Sequence, residues 1–170
     1  MKEAQEQEMR HTLSVLVENR AGVLTRVAGL FSGRGFNISS LSVGETTDPD
    51  VSRMTIVVEE DYQTLEQCVK QLQKLVVTIK VEDFVDRPYV HSELMVIKVD
   101  VGPEKRSEVM DISSVFDGRV VDINHDTMTI RFVGQGEVID DIIELLRPYG
   151  IKEIARTGSV ALARGKGSNQ

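Results

Sequence analysis

A chain of 170 residues with a formal net charge of −7 has room for one domain or two small ones, and its acidity argues against nucleic acid or an anionic membrane as the main partner. Hydrophobic residues make up 41% and aromatics only 5%, with no Trp, so any core must be aliphatic. The one cysteine, Cys68, excludes an internal disulfide or a thiolate metal cluster, and no apolar run approaches the roughly 20 residues that a bilayer demands.

Residues 1–10 are rich in Glu and Gln and lack a signal-peptide core, so they read as a flexible tail of a cytoplasmic protein. Leu13, Val15 and Val17 then alternate with polar neighbours, the pattern of a half-buried strand. A turn at Asn19-Arg20-Ala21-Gly22 leads into a helix whose apolar face is Val23, Leu24, Val27, Leu30 and Phe31. That helix stops at Gly33-Arg34-Gly35. The next strand carries Leu41 and Val43, with Ile38 out of phase, which implies a bulge or a late start. A polar loop from Glu45 to Asp50 precedes a third strand, Ser52 to Glu59, with Met54, Ile56 and Val58 on one face. A second helix spans Asp61 to Leu75, burying Leu65, Val69, Leu72 and Leu75, and a fourth strand places Val77, Ile79 and Val81 inward.

The pattern then repeats. Asp86-Arg87-Pro88-Tyr89 is a link; Met95, Ile97, Val99 and Val101 make a strand; and Val109, Ile112 and Phe116 mark a helix that stops at Asp117-Gly118. Val121 and Ile123 form a strand, Met128, Ile130 and Phe132 another, and Val138 to Leu146 is a strongly amphipathic helix ended by Pro148 and Gly150. Ile151 to Ala155 begins a closing strand that resumes at Val160-Ala161-Leu162. The expected architecture is α+β: two tandem ferredoxin-like βαββαβ units at 11–84 and 92–164, a linker at 85–91, and a second flexible tail at 165–170.

This order of elements decides no function. No Walker loop, nucleophile elbow or dinucleotide fingerprint occurs, and His11, His91 and His125 are scattered without ligand spacing, so neither catalytic nor metal residues are assigned. The strands Arg53-Met54-Thr55-Ile56 and Thr129-Ile130-Arg131-Phe132 lack the stacking aromatics of an RNA-recognition motif. Arg20 could mimic the phosphate-cradling arginine of an acylphosphatase, but the Gly-rich loop running into Phe-Arg is missing. What remains is small-molecule binding at the first helix start, where unpaired amides suit a carboxylate. Taken alone, Asn19 and Gly22 are explained at least as well by the turn itself.

The stretches Glu18-Asn19-Arg20-Ala21-Gly22-Val23-Leu24 and Gly29-Leu30-Phe31-Ser32-Gly33-Arg34-Gly35-Phe36-Asn37-Ile38-Ser39-Ser40-Leu41 resemble an ACT domain. With Ser52-Arg53-Met54-Thr55, Gln71 to Leu75, Arg156-Thr157-Gly158 and Arg164-Gly165, the chain is similar to the regulatory small subunits of acetolactate (acetohydroxyacid) synthase. That resemblance implies an N-terminal ACT domain and a C-terminal ACT-like domain in a non-catalytic protein. It implies homodimerisation through the ACT domain, activation of a separate large catalytic subunit, and feedback inhibition by valine in branched-chain amino-acid biosynthesis. No cofactor is expected in this chain; thiamine diphosphate, Mg²⁺ and FAD would belong to the catalytic partner. Plant members carry a transit peptide and a duplicated regulatory region; neither is seen here, pointing to a bacterial or archaeal form. The valine carboxylate would rest on the amides of Gly22 and Val23. Asn19 and Asn37 would supply polar contacts, and Val23, Leu24 and Ile38 an apolar pocket between two protomers. The alternatives are a free-standing tandem amino-acid sensor and, more remotely, a metal-responsive regulator.

Overall fold

The computed structural model describes residues 9–165, which form two compact units. One runs to Val90 and takes back the segment from Val160 onward; the other is His91–Ser159.

In the first unit, β1 (Met9–Glu18), α1 (Val23–Ser32), β2 (Ile38–Glu45), β3 (Val51–Glu60), α2 (Tyr62–Gln73) and β4 (Thr78–Asp83) follow one another. The sheet order is β2-β3-β1-β4, with every neighbouring pair antiparallel. Leu13 and Val15 of β1 stand opposite Ile56 and Met54 of β3, and with Val17 and Val58 they pack against Val27, Leu30 and Phe31 of α1 and Leu65, Cys68 and Leu72 of α2. Burying each large aliphatic side chain stabilises by about 1.5–3 kcal/mol, which selects this face of each strand over its polar alternate. Helix α1 ends where the alternation of helix and glycine foretold. Gly35 adopts φ 75°, Phe36 N–H donates to the Phe31 carbonyl (3.0 Å), and Gly35 N–H donates to that of Ser32 (3.2 Å).

The second unit uses the same plan. Its elements are β5 (Tyr89–Asp100), α3 (Arg106–Val115), β6 (Arg119–Ile123), β7 (Thr127–Gly134), α4 (Gly136–Leu146) and β8 (Ile151–Arg156), in sheet order β6-β7-β5-β8. Met95, Ile97, Val99, Val101, Met128, Ile130 and Phe132 are fully buried against Val109, Ile139, Ile142 and Leu146. Helix α3 ends on Asp117 at φ 53°, with Gly118 N–H reaching back to the Ser113 carbonyl (2.7 Å).

Four expectations change. Met9 and Arg10 belong to β1 rather than to a tail; residues 1–8 lie outside the described residues, as do 166–170 of the expected C-terminal tail. Ile79 is exposed, because the pairing passes from Leu16↔Lys80 to Val17↔Thr78 and leaves Ile79 as a bulge, with Thr78 in the inward place. A second bulge at Val121 separates Val120↔Ile130 from Asp122↔Thr129, so Val120 rather than Val121 packs on the core. The expected bulge after Ile38 is present, between Ile38 and Ser40. Finally, Val160–Ala163 is a strand of its own, β9, rather than a resumption of β8, and by compactness it groups with the first unit. It pairs β5 and lies against β1; Ala161 N–H donates to Thr55 Oγ1 (3.3 Å) and Arg164 N–H to the Pro88 carbonyl (2.9 Å). Phe84, expected to close the first unit, is buried there and stacks on Tyr89 at 4.7 Å. Among the described residues, no helix is long and apolar enough to cross a membrane.

Two predictions follow from the cores. A Cβ on Gly118 would stand 2.3 Å from Cε1 of the fully buried Phe132 ring, so Gly118→Ala should cost about 1–3 kcal/mol in urea unfolding. Burial, aided by the Glu60 carboxylate, pushes the Cys68 thiol up from 9.0 to about 11. The unfolded chain therefore loses this proton first, and the thiol's contribution to stability declines as pH rises from 9 towards 11. Native protein at pH 8 should resist iodoacetamide at Cys68, whereas denatured protein should alkylate within minutes.

Candidate functional site

The turn between β1 and α1 is held from below. Asn19 N–H donates to the Asp50 carbonyl (2.8 Å), and Asn19 Nδ2 donates to the Pro49 carbonyl (2.8 Å) and to Glu45 Oε1 (3.3 Å). The loop it grips is itself braced: Asp48 Oδ1 accepts from Asp50 N–H (3.0 Å), and Thr46 Oγ1 accepts from Asp48 N–H (3.1 Å). The amide nitrogen of Asn19 is thus engaged, and its carbonyl oxygen is an acceptor. Arg20 pairs with Glu18 (2.6 Å), so the arginine that could have cradled a phosphate is engaged beside the turn.

Gly22 opens α1 at φ 84°, ψ −7°, with open space where a side chain would begin. Its carbonyl accepts from Arg26 N–H (3.1 Å), the first turn of the helix. No side chain caps this helix start and its first turn contains no acid. The other three helices each have a carboxylate there: Asp61 accepts from Thr64 N–H (2.9 Å) at α2, and Glu108 and Glu137 lie in the first turns of α3 and α4. Those carboxylates offset the partial positive charge of the helix start, and at α1 that charge is left for something else.

Of the residues expected to line an apolar pocket, Val23 packs in the core of the first unit, and its main-chain N–H donates to the Arg20 carbonyl (3.4 Å) within the turn. Leu24 is 47% exposed, and Ile38 packs on the edge of the core. Asn37 exposes its side chain just before β2, while its main-chain N–H donates to Glu60 Oε1 (3.4 Å).

Asn19, Gly22, Val23 and Leu24 come together at one end of the sheet; Asn37 and Ile38 do not join them. Along β3, Glu18 stands opposite Val51 and Ile38 opposite Val58, so the two groups lie seven residues apart, about 23 Å at 3.3 Å per residue. A ligand the size of an amino acid touches one group or the other within a single chain. The sequence had not marked Pro49 or Glu45 as partners of the turn; the Asp48-Pro49-Asp50 turn signal located the loop without saying what it held. Among the described residues, no group of three or more His, Cys, Asp and Glu side chains could hold a metal ion.

Comparison with known proteins bears on this arrangement. The family description "AHAS small subunit-like ACT domain" matches residues 13–80, and "Small subunit of acetolactate synthase" matches residues 92–165. A probable acetolactate synthase small subunit of Archaeoglobus fulgidus is 52% identical over 92% of this chain and 98% of its own length. The acetolactate synthase small subunit of Aquifex aeolicus is 49% identical over 91% of this chain and 81% of its own length. The crystal structure of the small subunit from Thermotoga maritima superposes with TM-score 0.84 at 38% identity, over 93% of this chain and 99% of that one.

Gly22→Ala should keep the sheet and lower stability by about 1–2 kcal/mol, because the space is open but the left-handed backbone penalises any Cβ. Thermal unfolding measures this.

Proposed function

The chain belongs to the small subunits of acetolactate synthase, and from that membership we propose that it is a non-catalytic, cytoplasmic regulatory subunit. In this reading it activates a large catalytic subunit, which carries thiamine diphosphate, Mg²⁺ and FAD, and makes that enzyme inhibitable by valine. The observation that carries the valine site is the 23 Å (about seven strand residues) between the α1 turn and the start of β2. Both β1 and β2 are antiparallel to β3, so they run parallel to one another. β2 is an edge strand of its sheet. If two copies join β2 edge to β2 edge about a two-fold axis, the paired strands run antiparallel. The Asn37 end of one β2 then falls at the α1-turn end of the other chain. Two such sites result, each built from Asn19, Gly22, Val23 and Leu24 of one protomer and Asn37 and Ile38 of its partner copy. The same pairing satisfies the open N–H and C=O groups of the β2 edge.

The chemistry suits a small apolar amino acid. The Gly22 amide and the uncompensated helix start favour its carboxylate, with the Val23 amide, now donating long to the Arg20 carbonyl, as the second donor; the Asn19 carbonyl oxygen favours its ammonium; Leu24 and Ile38 offer apolar surface to its side chain.

The test is reconstitution with purified catalytic subunit. The chain alone should form no acetolactate; added to the large subunit it should raise turnover, and valine should reverse the gain. Asn37→Ala removes contacts to a charged ligand worth about 1.5–3 kcal/mol, so valine affinity should fall roughly ten- to a hundredfold. Gly22→Asp sets a negative charge against the valine carboxylate and should weaken binding further. Both variants should still activate while resisting valine, and valine should raise the melting temperature of wild type alone. Undiminished inhibition in both variants would place the effector elsewhere; failure to activate would remove the regulatory reading.

A further inference from the structure

We propose that Arg119 and Arg131, with the Thr129 hydroxyl, form a binding site for a small dianionic phosphate group on the second unit's sheet, on the face turned away from α3 and α4. Met128, Ile130 and Phe132 of β7 point into the core, so Thr129 and Arg131 between them point to the other face. Arg131 stands directly opposite Arg119 of β6, and Thr129 stands opposite Asp122 and Lys98. Residues so placed hold their Cβ atoms about 4.5–5.5 Å apart, and like charges at that spacing repel. The register puts three carboxylates on this face, and each is engaged elsewhere. Asp122 accepts from Asn124 Nδ2 (2.9 Å), Glu153 holds Lys98 (3.0 Å), and Asp100 holds Lys152 (2.8 Å). Neither arginine makes an ion pair or a side-chain hydrogen bond among the described residues. Acidic side chains outnumber Lys and Arg by 27 to 20 in this chain, yet these two facing cations go unmatched.

Thr129 points to a ligand independently. It is 9% exposed, and its Oγ1 is buried without a hydrogen-bond partner. A buried polar group in that state costs stability until a partner arrives. An oxyanion held between the two guanidiniums is the acceptor this hydroxyl lacks. The hydroxyl is closed from solvent, so a neighbouring side chain must swing aside first; Arg131, two residues along the same face, does so as it takes hold of the anion. A guanidinium fork matches phosphate oxygens bidentately, and two forks favour a dianion over a single carboxylate. A phosphomonoester carries about −1.5 to −2 at neutral pH. The acidity of the rest of the chain disfavours a long polyanion, which leaves a single phosphate group on a small molecule. Beyond Arg131 the face turns apolar: Val96 stands opposite it on β5, and Val133, 59% exposed, stands opposite Leu94. That strip offers surface to the organic body of a phosphomonoester.

Heteronuclear NMR on the full chain, at constant ionic strength, tests this with inorganic phosphate and phenyl phosphate as probes. Both should produce saturable shifts at the amides of Arg119, Thr129 and Arg131 and at the two arginine Nε–H groups, phenyl phosphate at the lower concentration. Arg131→Gln should weaken phenyl phosphate at least tenfold. Thr129→Val keeps the shape, loses the hydroxyl and should weaken it severalfold. Arg147→Gln removes an arginine already paired with Glu144 and should change nothing. If Arg131→Gln does not fold, Arg119→Gln on the exposed end of β6 carries the same readout. Shifts that rise linearly without saturating would overturn the proposal, as would equal affinity in wild type and the arginine variants. The valine reading of the first unit stands or falls separately.

Discussion

Because β1 and β2 both pair antiparallel with β3, they must point the same way, and everything about the first unit's site depends on that. The end of β1 and the start of β2 are joined by α1, and because the two strands run parallel those two points lie at opposite ends of the strands. No choice of side chains can bring Asn19 and Asn37 together in one copy while this pairing lasts. A ligand held by both would therefore be a reporter of assembly, since two chains must be in register before the site exists.

The two units share a plan and differ where it matters. In each, a side chain beside the first helix start reaches the loop between the second and third strands: Asn19 to the Pro49 carbonyl in one, Arg106 to the Asn124 and His125 carbonyls in the other. The brace is common, but the surroundings diverge. Gly22 leaves its turn open. In the second unit the Glu104 carboxylate folds over Gly102, 2.7 Å from where a Cβ would stand, and Glu108 follows in the first turn of α3. The chain's own acids occupy the ground that a bound carboxylate would need.

Much of this was legible before any coordinates. Alternation at Leu13-Val15-Val17 and Met95-Ile97-Val99 named the central strands, and helical spacing named Val27, Leu30 and Phe31, because burial energy acts through periodicity. Glycine stops and the Ile38 irregularity carried local conformational information of their own. The bulges at Ile79 and Val121 escaped, since a bulge shifts phase without changing composition: Val77-Ile79-Val81 reads as perfect alternation while the pairing skips one residue. The strand at Val160–Ala163 was expected, but where it docks escaped for another reason. Where a four-residue apolar segment docks is decided by long-range contacts, here Thr55 and Pro88, that no local pattern encodes. Of the site, the residue types at the turn and the inward face of Val23 were readable; the Pro49 carbonyl and Glu45 carboxylate that brace Asn19, and the exposure of Leu24, were not.

The return of β9 makes the first unit discontinuous along the chain. Synthesis proceeds from the N-terminus, so β1 to β4 emerge and can collapse long before Val160–Ala163 has been made. Through that interval the four strands β2-β3-β1-β4 can pair, but the backbone of β9 is not there to meet Thr55. A nascent chain halted inside the second unit would therefore present a nearly complete first unit lacking its last piece.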